Sequence, residues 1–533
     1  MIKTSTHTFF TLLLVGALAA CSDGQSMEAG SSSNEMPNSA PTDSGGWDQG
    51  SSGSDTSGSS GPSSNESNAP DADGASDSAE AGESDPNIEP EEEETTNWIQ
   101  LSTDDSTSMA SAQMYKAGFH WRSLKAHEFI NYYDAPAELF AQEEWAIDGT
   151  LGDNIDYGLK ADLFDVEPGP MIDCDAGEDC ENSDPYQVAE MFFQMKAPMV
   201  QQNTRRNWNI FLCVDVSGSM SGDNIEYVRD ALTTMMGHFK EGDVITLVTF
   251  DSNYHDIFLN WEFSSNEDAI REAFQNLSPG SSTNMIAGLD RVYELAQENF
   301  DEDKLQRVIL FGDGNANVGD TDLETFNGLT RINGQEGIYL SGVGVGTNYD
   351  WDRMDQLTDA GKGAHVFLPN DEEVELIFGD YFTKLIEVAA DRISIEMELP
   401  AGVTLESFTG EEVSTNPEER LQNIILAAGD DMTFIARFKI NRAEALEEPA
   451  LLRLTLRPLS TGTEVVHEVS VDALSELIAS PGALFERTRV IRDFATVVTG
   501  SDTTGLELED ISEQLENYGP LDWGLQEIQT LIP

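Results

Sequence analysis

The chain has 533 residues, 39% of them hydrophobic, and a formal net charge of −70 at pH 7. That length exceeds what one hydrophobic core fills, so two or three folded units are expected. The charge argues against nucleic acid as a partner, because no basic patch offsets the repulsion, and favours divalent cations and cationic surfaces.

Met1-Ile2-Lys3 gives a charged start and residues 9–20 form an apolar run. The run is shorter than the roughly 20 residues a bilayer span needs, but it suits a secretory leader. It ends in Leu18-Ala19-Ala20-Cys21, which resembles a bacterial lipobox. The resemblance implies cleavage before Cys21 and lipidation of that residue, so 1–21 is expected to be a lipoprotein signal peptide and acyl chains the membrane anchor. Ser22 stands where an inner-membrane retention signal usually places Asp. A cell-envelope location is therefore expected, at the outer membrane and facing the periplasm or the cell surface.

Residues 22–97 are mostly Ser, Gly, Asp, Glu, Asn and Pro, with no Lys or Arg. Such a stretch buries too little apolar surface to offset its ordering entropy and is expected to be a disordered acidic tether. Residues 98–206 read as an N-terminal region of helix and strand. Met114, Phe119, Leu124, Phe129 and Ile130 are spaced for one buried face, and strands are expected over 157–166 and 188–197. Between these strands, Cys174 and Cys180 enclose Asp-Ala-Gly-Glu-Asp, and a local disulfide is expected in an oxidising envelope. The acids here could also hold calcium, but Gly177 falls where an acid-rich calcium loop wants another ligand.

From 207 to 390 short apolar strands alternate with amphipathic helices, the pattern of a mostly parallel sheet covered on both faces. The strands are expected at 210–216, 244–250, 308–312 and 338–345. Cys213 lies inside the first and reads as a small core residue. Ile225, Val228, Leu232, Met235, Met236 and Phe239 form a helical stripe after it. A second helix is expected over 267–277, behind Ser264-Ser265. From 391 to 475 the period changes to two, giving antiparallel strands at 393–399, 424–427, 432–440, 451–456 and 464–471 and a sandwich-like region. Residues 476–533 read as helical. Strands before the α/β unit are expected to pair with strands after it, making that unit an insertion in a β-rich frame.

The first α/β strand runs into Asp215-Val216-Ser217-Gly218-Ser219. An acid and two hydroxyls thus alternate just past a strand's carboxyl end, where open α/β sheets bind ligands. Gly280-Ser281-Ser282-Thr283-Asn284 is a polar loop before a helix, and Phe311-Gly312-Asp313-Gly314 closes another strand. Asp215, Ser217, Ser219, Thr283 and Asp313 make an all-oxygen set suited to Mg²⁺, with Mn²⁺ or Ca²⁺ as alternatives.

The order and spacing of these residues, over some 180 residues of αβ alternation, resemble the metal-ion-dependent adhesion site of von Willebrand factor type A domains. The resemblance implies a Rossmann-like fold and a binding function rather than an enzyme. It implies that Ser217, Ser219 and Thr283 contact the metal directly, that Asp215 and Asp313 support it largely through water, and that an open position accepts an acidic side chain of a protein partner. Where the family usually has Thr before the second Asp, this sequence has Gly312, which is expected to loosen the loop without removing a ligand. Coupling of the Thr283 and Asp313 loops to the last helix, 374–390, is a further expectation. A narrower likeness over 98–139, 316–319 and 346–350 is to bacterial A-domain lipoproteins.

Two alternatives remain. Asp215 and Gly312-Asp313-Gly314-Asn315 resemble parts of haloacid-dehalogenase-type phosphatases, but the general acid those enzymes carry two residues after the nucleophile is here Ser217. A serine hydrolase is excluded because Ser217 stands where a nucleophile elbow around Ser219 needs Gly. The other alternative is a metal-independent envelope scaffold. His238, His255 and His365 are scattered without paired acids or nucleophiles and read as surface or packing residues.

Overall fold

The computed structural model describes residues 96–533 other than 104, 121–123, 167–184, 420, 422, 423, 503 and 504. Residues 1–95, on which the expected signal peptide, Cys21 and nearly all of the expected acidic tether fall, and Cys174 and Cys180, expected to form a disulfide, lie outside the described residues. No helix among the described residues is long and apolar enough to cross a membrane.

The strands, in chain order, are β1 (Asn97–Ser102), β2 (Ile147–Leu151), β3 (Ile155–Val166), β4 (Tyr186–Lys196), β5 (Asn207–Asp215), β6 (Val244–Phe250), β7 (Tyr254–Glu262), β8 (Lys304–Gly312), β9 (Ile338–Val345), β10 (His365–Leu368), β11 (Val388–Leu399), β12 (Val403–Thr409), β13 (Glu412–Ser414), β14 (Ile424–Ala427), β15 (Asp431–Ile440), β16 (Ala450–Pro458) and β17 (Val465–Val471). They form three sheets.

The α/β sheet has the order β10-β9-β8-β5-β6-β7. All its pairings are parallel except that of β7, which runs antiparallel along the edge beside β6. The inner strands β5, β8 and β9 are buried almost throughout. Helices on both faces leave no solvated side, so these strands read as unbroken apolar runs. Helix Phe263–Gln275 begins earlier than Ser264-Ser265 suggest. Glu262 caps it by accepting from the Ser264 and Ser265 backbone N–H groups, so the two serines lie in the first turn.

The other two sheets are antiparallel and each mixes strands from both sides of the α/β unit. In one, β1 pairs with β11 and β13, β11 also pairs with β14 and β16, and β16 pairs with β17. In the other the order is β12-β15-β4-β3-β2. Residues 98–206 and 391–475 therefore supply one frame, and the α/β unit is inserted between β4 and β11. The two sheets share a core in which Ile99, Met397 and Leu454 meet Leu159, Phe193 and Phe434. Pro458 is the last residue of β16, opposite Ala390, where its missing N–H costs little.

The C-terminal helices Ala483–Thr499, Leu508–Tyr518 and Trp523–Leu531 pack into the same core as the α/β unit, next to the helices Ala110–Lys116 and Ala126–Tyr132. Tyr115, Phe129 and Phe494 meet edge to face there, with ring centroids 5.6–6.0 Å apart, an arrangement aromatic quadrupoles favour.

Candidate functional site

Four segments converge at the carboxyl ends of β5 and β8. The turn after β5 is held by Val216 N–H donating to the Phe250 carbonyl at 2.9 Å and by Gly218 N–H donating to the Ser281 carbonyl at 2.9 Å. Gly280 N–H in turn donates to the Val216 carbonyl. A side chain at 218 would place its Cβ 3.1 Å from the Ser281 carbonyl oxygen, so any larger residue there would push the turn and the 280–283 loop apart by a few tenths of an ångström.

The third segment joins through Thr283, whose carbonyl accepts from the N–H groups of Asn317 and Val318, both at 3.0 Å. The Asn317 side chain answers by accepting the Thr283 N–H at 2.9 Å. Asn284, the next residue, caps helix Met285–Glu298. The fourth segment, the Asp313 loop, is fastened by Asp350 N–H donating to the Asp313 carbonyl at 2.8 Å and by Asn315 donating to the Asn348 carbonyl at 2.6 Å. All five residues singled out from the sequence thus sit on neighbouring loops at the carboxyl end of the sheet.

Asp215, Ser217, Thr283 and Asp313 are buried, while Ser219 is exposed. Asp215 Oδ1 accepts the Ser217 N–H at 2.7 Å. Its Oδ2 is buried with no hydrogen-bond partner. The hydroxyls of Ser217 and Ser219 lie 3.0 Å apart in hydrogen-bond contact, and Asp313 Oδ1 accepts the Asn315 N–H at 3.0 Å. Burial pushes the Asp215 carboxyl up to about 7 despite hydrogen bonds from Ser217, and the nearby Asp313 and Asp251 act in the same upward direction. A buried carboxylate oxygen without a donor needs a proton or a cation. The surrounding donors are all hard oxygens, so the residues present fit a divalent ion such as Mg²⁺.

Three further residues here are given no role by the sequence, although Asn317 and Asp350 fall within the stretches 316–319 and 346–350 of the narrower likeness. Asn317, through its side chain and its backbone N–H, and Asp350, through its backbone N–H, act across sequence gaps of more than thirty residues. Asp251, at the end of β6, receives the His255 imidazole at 3.0 Å, and that bond holds its carboxyl below the usual range. The reading of the histidines as lacking acids is corrected by the structure. His255 meets Asp251, and His365 Nδ1 lies 3.4 Å from Asp355 Oδ1. Each acid reaches its histidine through a strand turn or a helix that adjacency in sequence does not reveal. His238 contacts the Phe378 carbonyl. Cys213 is a free, buried thiol, which burial pushes upward in pKa.

Residues 209–380 match the von Willebrand factor type A domain family. Over 225 residues the chain is 28% identical to the uncharacterized protein YfbK of Escherichia coli (strain K12), a match covering 42% of this chain and 39% of that one. Inter-alpha-trypsin inhibitor heavy chain H2 of Sus scrofa is 26% identical over 163 residues, covering 29% of this chain and 17% of the relative. Among solved structures, the von Willebrand factor type A protein from Catenulispora acidiphila aligns with a TM-score of 0.45 at 13% identity, covering 64% of this chain and 85% of that one. The chain therefore spans less than half the length of these curated relatives. Its α/β unit is a Rossmann-like von Willebrand factor type A domain, accompanied by antiparallel sheets and C-terminal helices.

Proposed function

We propose that this protein is a non-catalytic binding module that captures a carboxylate of a protein partner through a divalent cation held at the carboxyl ends of β5 and β8. The observation that carries the reading is the buried Asp215 Oδ2 without a donor, beside the paired hydroxyls of Ser217 and Ser219. Ser217, Ser219 and Thr283 would hold the ion directly, with Asp215 and Asp313 behind them. Keeping the carboxylates back leaves the bound cation electrophilic towards an incoming acidic side chain. Ser219 is the exposed member and marks the side from which a partner approaches. A phosphatase is disfavoured because Ser217 cannot supply the proton a leaving group needs, and its hydroxyl is engaged with Ser219.

Calorimetric titration of the full chain with Mg²⁺, alongside Asp215→Ala, tests this reading. Binding present in the unmutated chain and absent in the variant supports it. The same heats in both proteins sink the metal reading and leave the metal-independent scaffold.

We further propose that the chain is tethered to the cell envelope through a lipidated Cys21, with residues 22–97 spacing the folded part from the membrane. The lipobox-like Leu18-Ala19-Ala20-Cys21 and the uniformly acidic, unpatterned stretch after it support this. Labelling of cells with radioactive fatty acid should mark the unmutated protein and not Cys21→Ala. Equal labelling would count against the anchor.

A further inference from the structure

A second group of ligand-bearing side chains lies where helix Ala126–Tyr132 packs against helix Trp351–Gly361 and β10. Glu128, Asp355 and His365 are all buried, and each offers an oxygen or nitrogen within 4.8 Å of the others. They come from three separate elements, so the fold and not local sequence brings them together. The imidazole of His365 is oriented by the Tyr349 hydroxyl on its Nε2, which leaves Nδ1 towards Asp355 at 3.4 Å. Bonding the distal nitrogen of a ligating histidine is the usual way proteins fix its tautomer and aim its lone pair.

Glu128 is pinned as well. Its Oε2 accepts the Ser111 N–H at 2.5 Å, and its Oε1, the oxygen left to offer, is buried without a hydrogen-bond partner. An unpaired carboxylate oxygen in a residue with no solvent exposure calls for a positive charge or a proton. The nearby ammonium of Lys125 is already divided among Asp355 at 2.8 Å, Glu411 at 2.5 Å and Asp359 at 3.7 Å.

We propose that Glu128, Asp355 and His365 form a second divalent-cation site, selective for Zn²⁺ or Mn²⁺ over Mg²⁺. An imidazole beside two carboxylates suits a borderline transition ion, whereas the hydroxyl-rich site at Asp215 suits a hard one. A cavity of about 270 Å³ is lined in part by Lys125 and Glu411, the pair whose ammonium and carboxylate meet beside Asp355. Lys125 then stays with Asp359 and Glu411. The bound ion ties the helix that precedes the inserted domain to the domain itself, a structural staple rather than a capture site. This inference does not depend on the metal reading of the Asp215 site.

The test is a Zn²⁺ titration of the full chain carrying Asp215→Ala, which disables the other site, together with zinc-edge anomalous scattering from crystals of the same variant. The expected result is one equivalent of zinc, an anomalous peak between Glu128, Asp355 and His365, and binding weakened at least tenfold by adding Glu128→Gln or His365→Gln. Mg²⁺ at equal concentration should not compete. No zinc binding, binding that survives Glu128→Gln, or a peak only elsewhere overturns the proposal. If Glu128→Gln does not fold, the anomalous peak in Asp215→Ala decides alone.

Discussion

Gly312 lies directly against Asp215: a Cβ at position 312 would stand 3.0 Å from the Asp215 Cβ and 3.3 Å from its Oδ2. The expectation that glycine loosens the second-Asp loop therefore has a counterpart in packing. The glycine makes room for a carboxylate that is already buried and unpaired on one oxygen. Adding a methyl at such a contact forces the neighbour aside by a few tenths of an ångström, and overpacking of this kind costs about 1–3 kcal/mol. Gly312→Ala should displace Asp215 and weaken Mg²⁺ binding by about tenfold, roughly 1.4 kcal/mol. Calorimetry on the full chain measures this, and an unchanged affinity would show that the Asp215 pocket has slack.

Acid sensitivity should be concentrated at His127. Burial pushes its imidazole down to about 3; Lys125 adds to this and Asp355 opposes it. The unfolded chain takes up a proton below about pH 6.5, but the folded chain does not until about pH 3. Stability from this group is thus complete above 6.5 and is lost progressively as pH falls from 6.5 towards 3. At pH 5 the loss should be on the order of 2 kcal/mol. Urea midpoints at pH 7.5 and pH 5.0 for the unmutated chain and His127→Gln measure it. The variant should show a shallower drop, and parallel drops would assign the acid sensitivity elsewhere.

The contrast between β5 and β7 explains what the sequence could show. β5 is buried almost end to end, so its apolar run and the Asp-x-Ser-x-Ser at its carboxyl end both stand out. β7 is an edge strand whose first four residues, Tyr254 to Ile257, face solvent, and its apolar run is only the three residues Ile257-Phe258-Leu259, too short to stand out. β10 has only four residues, too few for a period to register. The pairing of β4 with β15 was legible only in outline. Alternation gives each strand a buried face, but a partner some 240 residues away is fixed by tertiary packing. Site residues followed the same division. Side chains that offer oxygens at strand ends were visible by type and spacing. Asn317 and Asp350 fell only within the narrower likeness over 316–319 and 346–350, which gave them no role, and the Asp355–His365 pair, made by folding a helix back on a strand, was not visible.

The start of the inserted domain should be its most fragile polar point. Asp243 accepts from Arg205 Nη1 at 2.9 Å, from the Trp208 N–H at 2.8 Å and from the Lys240 N–H at 2.8 Å. Both charged side chains are fully buried, and the Arg205 guanidinium also stacks 3.4 Å over the Trp208 ring. Removing one partner of a buried ion pair typically costs 3–5 kcal/mol, because the other charge is left uncompensated. Asp243→Ala should destabilise by about that amount, and Asp243→Asn, which keeps an acceptor, by less. Thermal unfolding of the three proteins side by side checks the order. A loss below about 1 kcal/mol for Asp243→Ala would show that Arg205 finds another acceptor.

Asp215 offers a prediction with two readouts of opposite sign. Its carboxyl, ordinarily near 3.9 in an unfolded chain, is pushed up to about 7 by burial, with Asp313 and Asp251 contributing. Without metal, the folded state therefore binds a proton that the unfolded state has released between about pH 4 and 7, and stability falls as pH rises through that window. Above 7 the carboxylate is ionised and at its most costly, unless a cation neutralises it. Asp215→Asn removes the charge while keeping the shape. In EDTA at pH 8 the variant should be more stable than the unmutated chain by a few kcal/mol, and at pH 5 the gap should narrow. In millimolar Mg²⁺ the order should reverse, because only the unmutated chain gains the stabilisation that ligand binding to the folded state confers. Melting temperatures in the four conditions measure both effects. A variant that is less stable in EDTA at pH 8 would mean that Asp215 is held by hydrogen bonding alone and is not poised for a cation.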